Sequence, residues 1–199
     1  MRWPVLLDTT PRDTTWFLGE RVSTRLRWLD DPDLPDDLVL HRVPVRAGTL
    51  SNTHGQPWAQ LIRAGDLLAL REGDPWAGEV TLDGCLGFDA FLGLIGELPG
   101  TVGVVRRVRV VQDLHDRGTD GWIRRPGAVR LTDVPDASPE RLIDDPSFVE
   151  PTPPDREPEP GTMRILSPEQ YFQLVRDRLP AEQWQARGFL VDLHVADRT

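Results

Sequence analysis

Two Asp-Leu-His triplets contain residue types that could hold a metal ion. Asp113 with His115, and Asp192 with His194, each place a carboxylate and an imidazole two residues apart. Residues two apart on a β-strand lie on one face, so each triplet would present both side chains together. Four such ligands from two converging strands could bind zinc. The spacing matches no zinc module, and a strand with one polar face also produces such pairs, so the sequence requires no cofactor.

A second group of residues could bind phosphate. Residues 101–130 contain seven arginines against three aspartates, within a chain whose net charge is −9. A basic strand face with an aromatic ring is typical of OB-like barrels that bind nucleic acid. The candidate residues for this alternative are Arg106, Arg107, Arg109, Arg124 and Trp122. Arginines on a strand also solvate its outer face and pair with nearby carboxylates, and the negative net charge repels nucleic acid.

Aromatic residues near loops could anchor a protein partner. The chain has seven tryptophans and a single tyrosine. Trp58 and Trp76 each follow a proline, Trp184 lies in the C-terminal segment, and Tyr171 lies on the apolar stripe of a predicted helix. Tryptophan and tyrosine are enriched among the residues that dominate binding energy at interfaces. These four residues are the predicted partner-binding set.

No local motif specifies a reaction. Cys85 is flanked by glycines in a strand-like run, where a small buried thiol is the ordinary explanation. The chain has no Gly-x-Ser-x-Gly elbow and no phosphate-binding loop between a strand and a helix. A third interpretation is an enzyme or small-ligand protein, with a site at a barrel mouth formed by the polar loop 48–57, near His54 and His115.

Strands must position most of these side chains. Apolar residues alternate with polar ones over residues 21–28, 78–88 and 101–112, a period typical of half-buried strands. Strict alternation in 101–112 would place Val105 on the face of Arg107 and Arg109, opposite Val108. Further strands are predicted near residues 3–7, 38–45, 58–63, 67–71 and 128–134. Gly84, in the inward row of its strand, indicates a bend or bulge.

The predicted fold is therefore mainly β, a small antiparallel barrel or sandwich, followed by a C-terminal helix and strand that make it α+β overall. Residues 1–143 form the β-rich domain, and residues 144–161 form an acidic, proline-rich linker. In residues 162–199, Ser167 and Pro168 begin a helix, and a strand follows Gly188. A tail of about 40 residues cannot stand alone, so it must dock on the first domain or on a partner.

Composition limits the function classes. Apolar runs are far shorter than the roughly 20 residues that cross a bilayer, so no membrane span is expected. A single cysteine and the lack of an export segment favour the reducing cytoplasm. All 23 basic residues are arginine, a bias that a GC-rich genome would produce. The leading hypothesis is a non-enzymatic protein-interaction module, whose partner is another protein or a second copy; a nucleic-acid barrel and a small-ligand site are the alternatives.

Overall fold

The computed structural model describes residues 1–7, 15–30, 34–51, 57–72, 76–88, 100–118, 121–143, 167 and 180–196. Within these ranges the strands are β1 Arg2–Leu7, β2 Arg21–Thr24, β3 Leu26–Leu29, β4 Leu40–Ser51, β5 Pro57–Ala64, β6 Leu67–Arg71, β7 Gly78–Phe88, β8 Thr101–Arg117, β9 Trp122–Val134 and β10 Glu182–His194. One short helix, α1, spans Glu140–Ile143, and a 3-10 turn spans Asp36–Leu38. The predicted mainly β fold is confirmed.

Five strands form a closed barrel, as the sequence predicted among its alternatives. The hydrogen-bonded order is β7, β3, β6, β5 and β4, and β4 pairs back with β7 to close the ring. Closure leaves no edge strand for another chain to pair with. Alternate residues point inward, and the interior contains Val43, Val45, Ile62, Ala69 and Leu86.

The other strands extend from this barrel as a second part of the same sheet. β1 pairs in parallel with β7, β10 pairs with β1, and β8 pairs with β10. β2 and β9 both pair with β8. Residues 21–29 join the two parts, because β2 pairs with β8 whereas β3 pairs with β6 and β7. The predicted single strand over 21–28 is therefore split at Arg25, where the chain passes from one part to the other.

The C-terminal strand β10 lies inside the sheet, between β1 and β8. It begins at Glu182, earlier than the sequence indicated, and its residues Phe189, Val191 and Leu193 are fully buried in the main core. The C-terminal strand thus docks on its own chain. The predicted linker and most of the predicted helix lie outside the described residues, and the domain boundaries stay a prediction.

The predicted alternation in β8 is wrong after Val105. Val105 pairs with Leu193 and Arg107 with Asp192, so Arg106 is an extra residue without a partner in this ladder. Such a bulge reverses the side-chain alternation, and Val105 faces the core together with Val108 and Val110. Arg107 and Arg109 lie on the opposite face.

The bulge indicated by Gly84 is present on the neighbouring strand. Leu40 pairs with Gly84 and Val43 with Leu82, so His41 and Arg42 together face the single residue Asp83. Gly84 has a φ of +147°, and a Cβ added there would lie 2.2 Å from the Leu29 carbonyl oxygen. Only glycine permits this close approach of the backbones of β3 and β7.

The described part of the chain contains no helix long and apolar enough to span a membrane.

Candidate functional site

The two Asp-Leu-His triplets do not converge. Asp192 lies opposite Arg107 in the β8–β10 ladder, six positions along β8 from Asp113. At about 3.3 Å per residue, the two carboxylates are roughly 20 Å apart. The Asp113 carboxylate accepts a hydrogen bond from Arg124 at 2.9 Å, and His115 Nδ1 lies 3.1 Å from the Asp113 carbonyl oxygen. Among the described residues, no group of three potential metal ligands occurs.

The arginines of the predicted nucleic-acid surface are mostly bound to carboxylates. Arg107 donates to both carboxylate oxygens of Asp133, at 2.6 and 2.9 Å. The hydrogen bonds from Arg107 lower the pKa of Asp133 below its usual range and raise that of Arg107. Toward the other end of the β8–β9 ladder, Arg125 binds Asp116 and Glu182. These guanidinium groups have partners that a phosphate would have to displace.

Arg109 and Asp192 form the most deeply buried ion pair among the described residues. Their closest atoms are 2.7 Å apart, and the side chains are only 10% and 7% exposed. The more exposed Arg2 approaches the other oxygen of Asp192 at 3.7 Å. This buried pair joins β8 to β10 and removes two charges from water, a desolvation cost that its short contact must offset.

The predicted aromatic anchors lie on different elements. Trp184 lies on β10, half-buried, with the Arg130 guanidinium 4.7 Å from its ring centroid. Trp122 begins β9, half-buried, near the tip of the β8–β9 hairpin. Trp58 belongs to β5, but its side chain lies outside the described part of the structure, as do Tyr171 and His54. A common surface for the four predicted partner-binding residues therefore stays a prediction.

Trp76 packs at one end of the barrel. The guanidinium of Arg71 lies 4.7 Å from its ring centroid, and its carbonyl oxygen accepts a 2.8 Å hydrogen bond from Gln60 Nε2. Gln60 is fully buried on β5, on the same face as Ile62. The Gln60 Oε1 and Trp76 Nε1 atoms are buried and have no hydrogen-bond partner within the described ranges. Buried polar groups of this kind commonly bind an internal water.

A turn that the sequence did not single out presents two large apolar side chains to solvent. Phe17 and Leu18 are 54% and 59% exposed, although most large apolar residues of the described chain are buried. They form a turn together with Gly19 and Glu20, and β2 begins directly after it. We name residues 17–20 the apolar turn.

Hydrogen bonds on both sides fix the apolar turn to the second part of the sheet. Leu18 N donates to the Pro135 carbonyl, Gly19 N donates to the Val105 carbonyl at 2.9 Å, and Val105 N donates to the Glu20 carbonyl at 2.9 Å. Within the turn, Phe17 N donates to the Glu20 carboxylate at 2.9 Å. The backbone is held in place while the Phe17 and Leu18 side chains project outward.

Two arginines border the apolar turn. Arg21 follows it directly, and Arg106 follows Val105, whose backbone bonds to Gly19 and Glu20. Both arginines are exposed, and in the described parts of the chain neither forms an ion pair. The sequence contained one signal for this site: an apolar pair at a glycine turn, where polar residues are usual. Exposure of Phe17 and Leu18 depends on the tertiary fold and could not be read from their types.

No family model matches the chain, and neither the curated proteins nor the solved structures include one that is significantly similar to it. The fold and the surface define a mainly β protein with a closed five-strand barrel and an exposed apolar turn.

Proposed function

We propose that the chain is a non-enzymatic protein-interaction module that binds its partner through the apolar turn. The observation that carries the proposal is the exposure of Phe17 and Leu18 on a backbone fixed by hydrogen bonds. Apolar anchors that are already ordered lose little conformational entropy on binding, so more of the burial energy appears as affinity. A phenylalanine beside a leucine can fill a pocket of a partner protein.

The chemistry of the surface indicates the partner's docking face. Phe17 and Leu18 fit an apolar pocket, and Arg21 and Arg106 favour carboxylates at its rim. The net charge of −9 favours a partner whose overall charge is positive. A partner can have both rim carboxylates and a positive overall charge. The rim carboxylates act within a few ångströms, whereas the net charge steers the encounter.

The nucleic-acid alternative has weaker support. Arg107, Arg109 and Arg124 are bound to Asp133, Asp192 and Asp113 respectively. Arg106 is the candidate arginine that keeps an exposed guanidinium without an ion pair. The alternative stays a prediction, and binding of single-stranded oligonucleotides that weakens steeply with salt would support it.

The proposal places the module in the cytoplasm. Cys85 is fully buried, packed with Leu6, Val111 and Leu190, and the described fold does not depend on a disulfide. A reducing compartment is compatible with this thiol.

A direct test combines native mass spectrometry with variants of the turn. The tagged protein is purified from its own host, and any co-purifying polypeptide is identified, produced separately and titrated against the module. We expect Phe17→Ser/Leu18→Ser to weaken that affinity at least roughly thirtyfold, because truncated hot-spot residues cost about 2 kcal/mol or more.

Ile123→Ser is the matched control, because Ile123 is 63% exposed and lies away from the turn, on β9. This variant should bind the partner like the wild type, and both variants should keep the wild-type melting temperature. Equal affinity of the wild type and the turn variant for the purified partner would overturn the assignment of the surface. If no second polypeptide co-purifies with the protein even after crosslinking in its host, this result would count against a protein-interaction function.

A further inference from the structure

A cavity of about 300 Å³ lies where the barrel meets the second part of the sheet. The β5–β6 turn contributes Arg63 and Asp66, the start of β2 contributes Arg21, and the start of β8 contributes Val102. Ligand pockets in proteins begin at about this volume. The cavity is therefore large enough for a small molecule or for one charged group with a few attached atoms.

Two guanidinium groups on its wall have no carboxylate partner. Most other arginines of the described chain form ion pairs, whereas Arg21 and Arg63 form none within the described ranges. The residue opposite Arg63 in the β4–β5 ladder is another arginine, Arg46, which binds Glu79 at 2.7 Å. The nearby Glu79 carboxylate is thus already occupied. Both unpaired arginines line the same cavity, in a protein that has nine more acidic than basic residues.

The cavity walls are held together from within. Thr101 is fully buried between the lining residues Gly100 and Val102, and its hydroxyl bonds to the backbone of Leu68, which also lines the cavity. The backbones of β2, which carries Arg21, and of β5, where Arg63 pairs with Leu68, are therefore linked through Thr101. Guanidinium groups are suited to an oxyanion, since each can donate two parallel hydrogen bonds.

We propose that this cavity binds the oxyanion group of a small molecule, with Arg21 and Arg63 as its two cationic ligands. Asp66 is the one carboxylate among the described lining residues and is engaged in another interaction. The described lining thus contains two arginines and one aspartate. A singly charged carboxylate matches this set more closely than a highly charged polyanion. Arg21 borders both the cavity and the apolar turn, whereas Arg63 lies outside the apolar turn, so Arg63→Gln tests the cavity alone.

The test is an NMR titration of the full chain with sodium acetate and, separately, with inorganic phosphate, at constant ionic strength maintained with chloride. We expect saturable shifts of the Arg21 and Arg63 Nε–H signals and of the Gly65, Gly100 and Val102 amides. Arg63→Gln and Arg21→Gln should each weaken binding by about tenfold, because each removes charge-assisted hydrogen bonds. Tighter binding of acetate than of phosphate would identify a carboxylate ligand, and the reverse order a phosphate ligand.

Arg42→Gln is the matched control, because Arg42 is an exposed arginine of β4 that does not line the cavity and forms no ion pair within the described residues. This variant should bind both anions with wild-type affinity. Shifts that never saturate, or equal weakening in all three variants, would show general charge screening and overturn the site. The proposed partner complex is a separate readout, since Arg63→Gln leaves the apolar turn intact.

Discussion

The hydroxyl of Thr101 binds both backbone groups of Leu68. Its Oγ1 accepts a hydrogen bond from Leu68 N and donates one to the Leu68 carbonyl oxygen, each at 2.8 Å. Ala69, the next residue of β6, pairs with Leu26 at the start of β3. The Thr101 side chain therefore satisfies the backbone groups of Leu68, next to the residue of β6 that pairs with the start of β3. It also fastens the barrel to β8.

We expect Thr101→Val to lower the free energy of unfolding by about 1–3 kcal/mol, because the part-buried N–H and carbonyl of Leu68 lose their hydrogen-bond partner. Valine keeps the shape of threonine, so packing changes little. Urea denaturation measures the loss. Thr101→Ser should retain most of the stability, and Thr132→Val, on the exposed face of β9, should be nearly neutral. A Thr101→Val variant as stable as the wild type would contradict this role.

The Arg109–Asp192 pair gives a second prediction. Asp192→Asn removes one charge of a buried pair and leaves the Arg109 guanidinium without compensation, so we expect a loss of about 3–5 kcal/mol. The joint replacement Arg109→Met/Asp192→Leu should recover most of that loss, because no buried charge remains. Chemical denaturation of Arg109→Met, Asp192→Leu and the double variant completes the thermodynamic cycle.

The control for this cycle is the Arg46–Glu79 pair, which has the same closest distance of 2.7 Å. Its side chains are each 73% exposed, so Glu79→Gln should cost less than about 1 kcal/mol. If Asp192→Asn and Glu79→Gln had equal effects, burial would not be what distinguishes the two pairs.

Local pattern was sufficient to predict the strands and the mainly β class, because alternation and turn residues act within a few positions. The split at Arg25 and the bulge at Arg106 were not predictable in the same way. Each depends on which distant strand lies alongside: β8 pairs with β2, and β10 sets the register around Arg106. An alternating sequence contains no information about its partner strand.

The candidate surfaces were less predictable than the strands. Residue types identified the arginines of β8 but not their partners on other strands. Asp133, which binds Arg107, was not singled out, and Asp192, which binds Arg109, was predicted as a metal ligand. Conversely, Phe17 and Leu18 have the residue types of the core, and only their place at a glycine turn distinguishes them from it. A functional surface depends on what the fold leaves uncovered, and that is a property of the tertiary structure.

A third prediction concerns pH. The hydrogen bonds from Arg107 lower the pKa of Asp133 in the folded protein. A carboxyl group with a lowered folded pKa contributes stability above its unfolded pKa, about 3.9, and this contribution is lost as the pH falls through the folded value. The stability difference between the wild type and Asp133→Asn should therefore be constant at neutral pH and shrink in acid.

NMR titration of the Asp133 carboxyl carbon measures the same effect directly. Its pKa should lie below about 3.9 in the wild type and move back toward that value in Arg107→Gln. Asp30→Asn, which changes a carboxylate bound to Arg71 on the barrel, should leave the titration of Asp133 unchanged. If the pKa of Asp133 were the same in the wild type and in Arg107→Gln, the interaction would be contradicted.

The fourth prediction follows from the position of β10. The sequence predicts a C-terminal tail that docks on the first domain or on a partner. In the structure β10 pairs with the whole of β1 and with residues 104–116 of β8, so removal separates these two strands. It also removes the fully buried Phe189, Leu190, Val191 and Leu193 from the core. At about 2 kcal/mol for each side chain, the loss approaches the whole stability of a typical domain.

We therefore expect a chain ending at residue 143 to lack a cooperative unfolding transition and to aggregate. A synthetic peptide of residues 180–196, added during refolding, should restore a folded complex, because the vacant position between β1 and β8 offers backbone partners on both sides. The same peptide with Phe189→Asp and Val191→Asp should not, since these side chains enter the core. Circular dichroism and size-exclusion chromatography measure the outcome. Cooperative unfolding of the truncated chain alone would show that β10 is dispensable to the fold. It would also show that the other strands of the second part of the sheet can assemble without it.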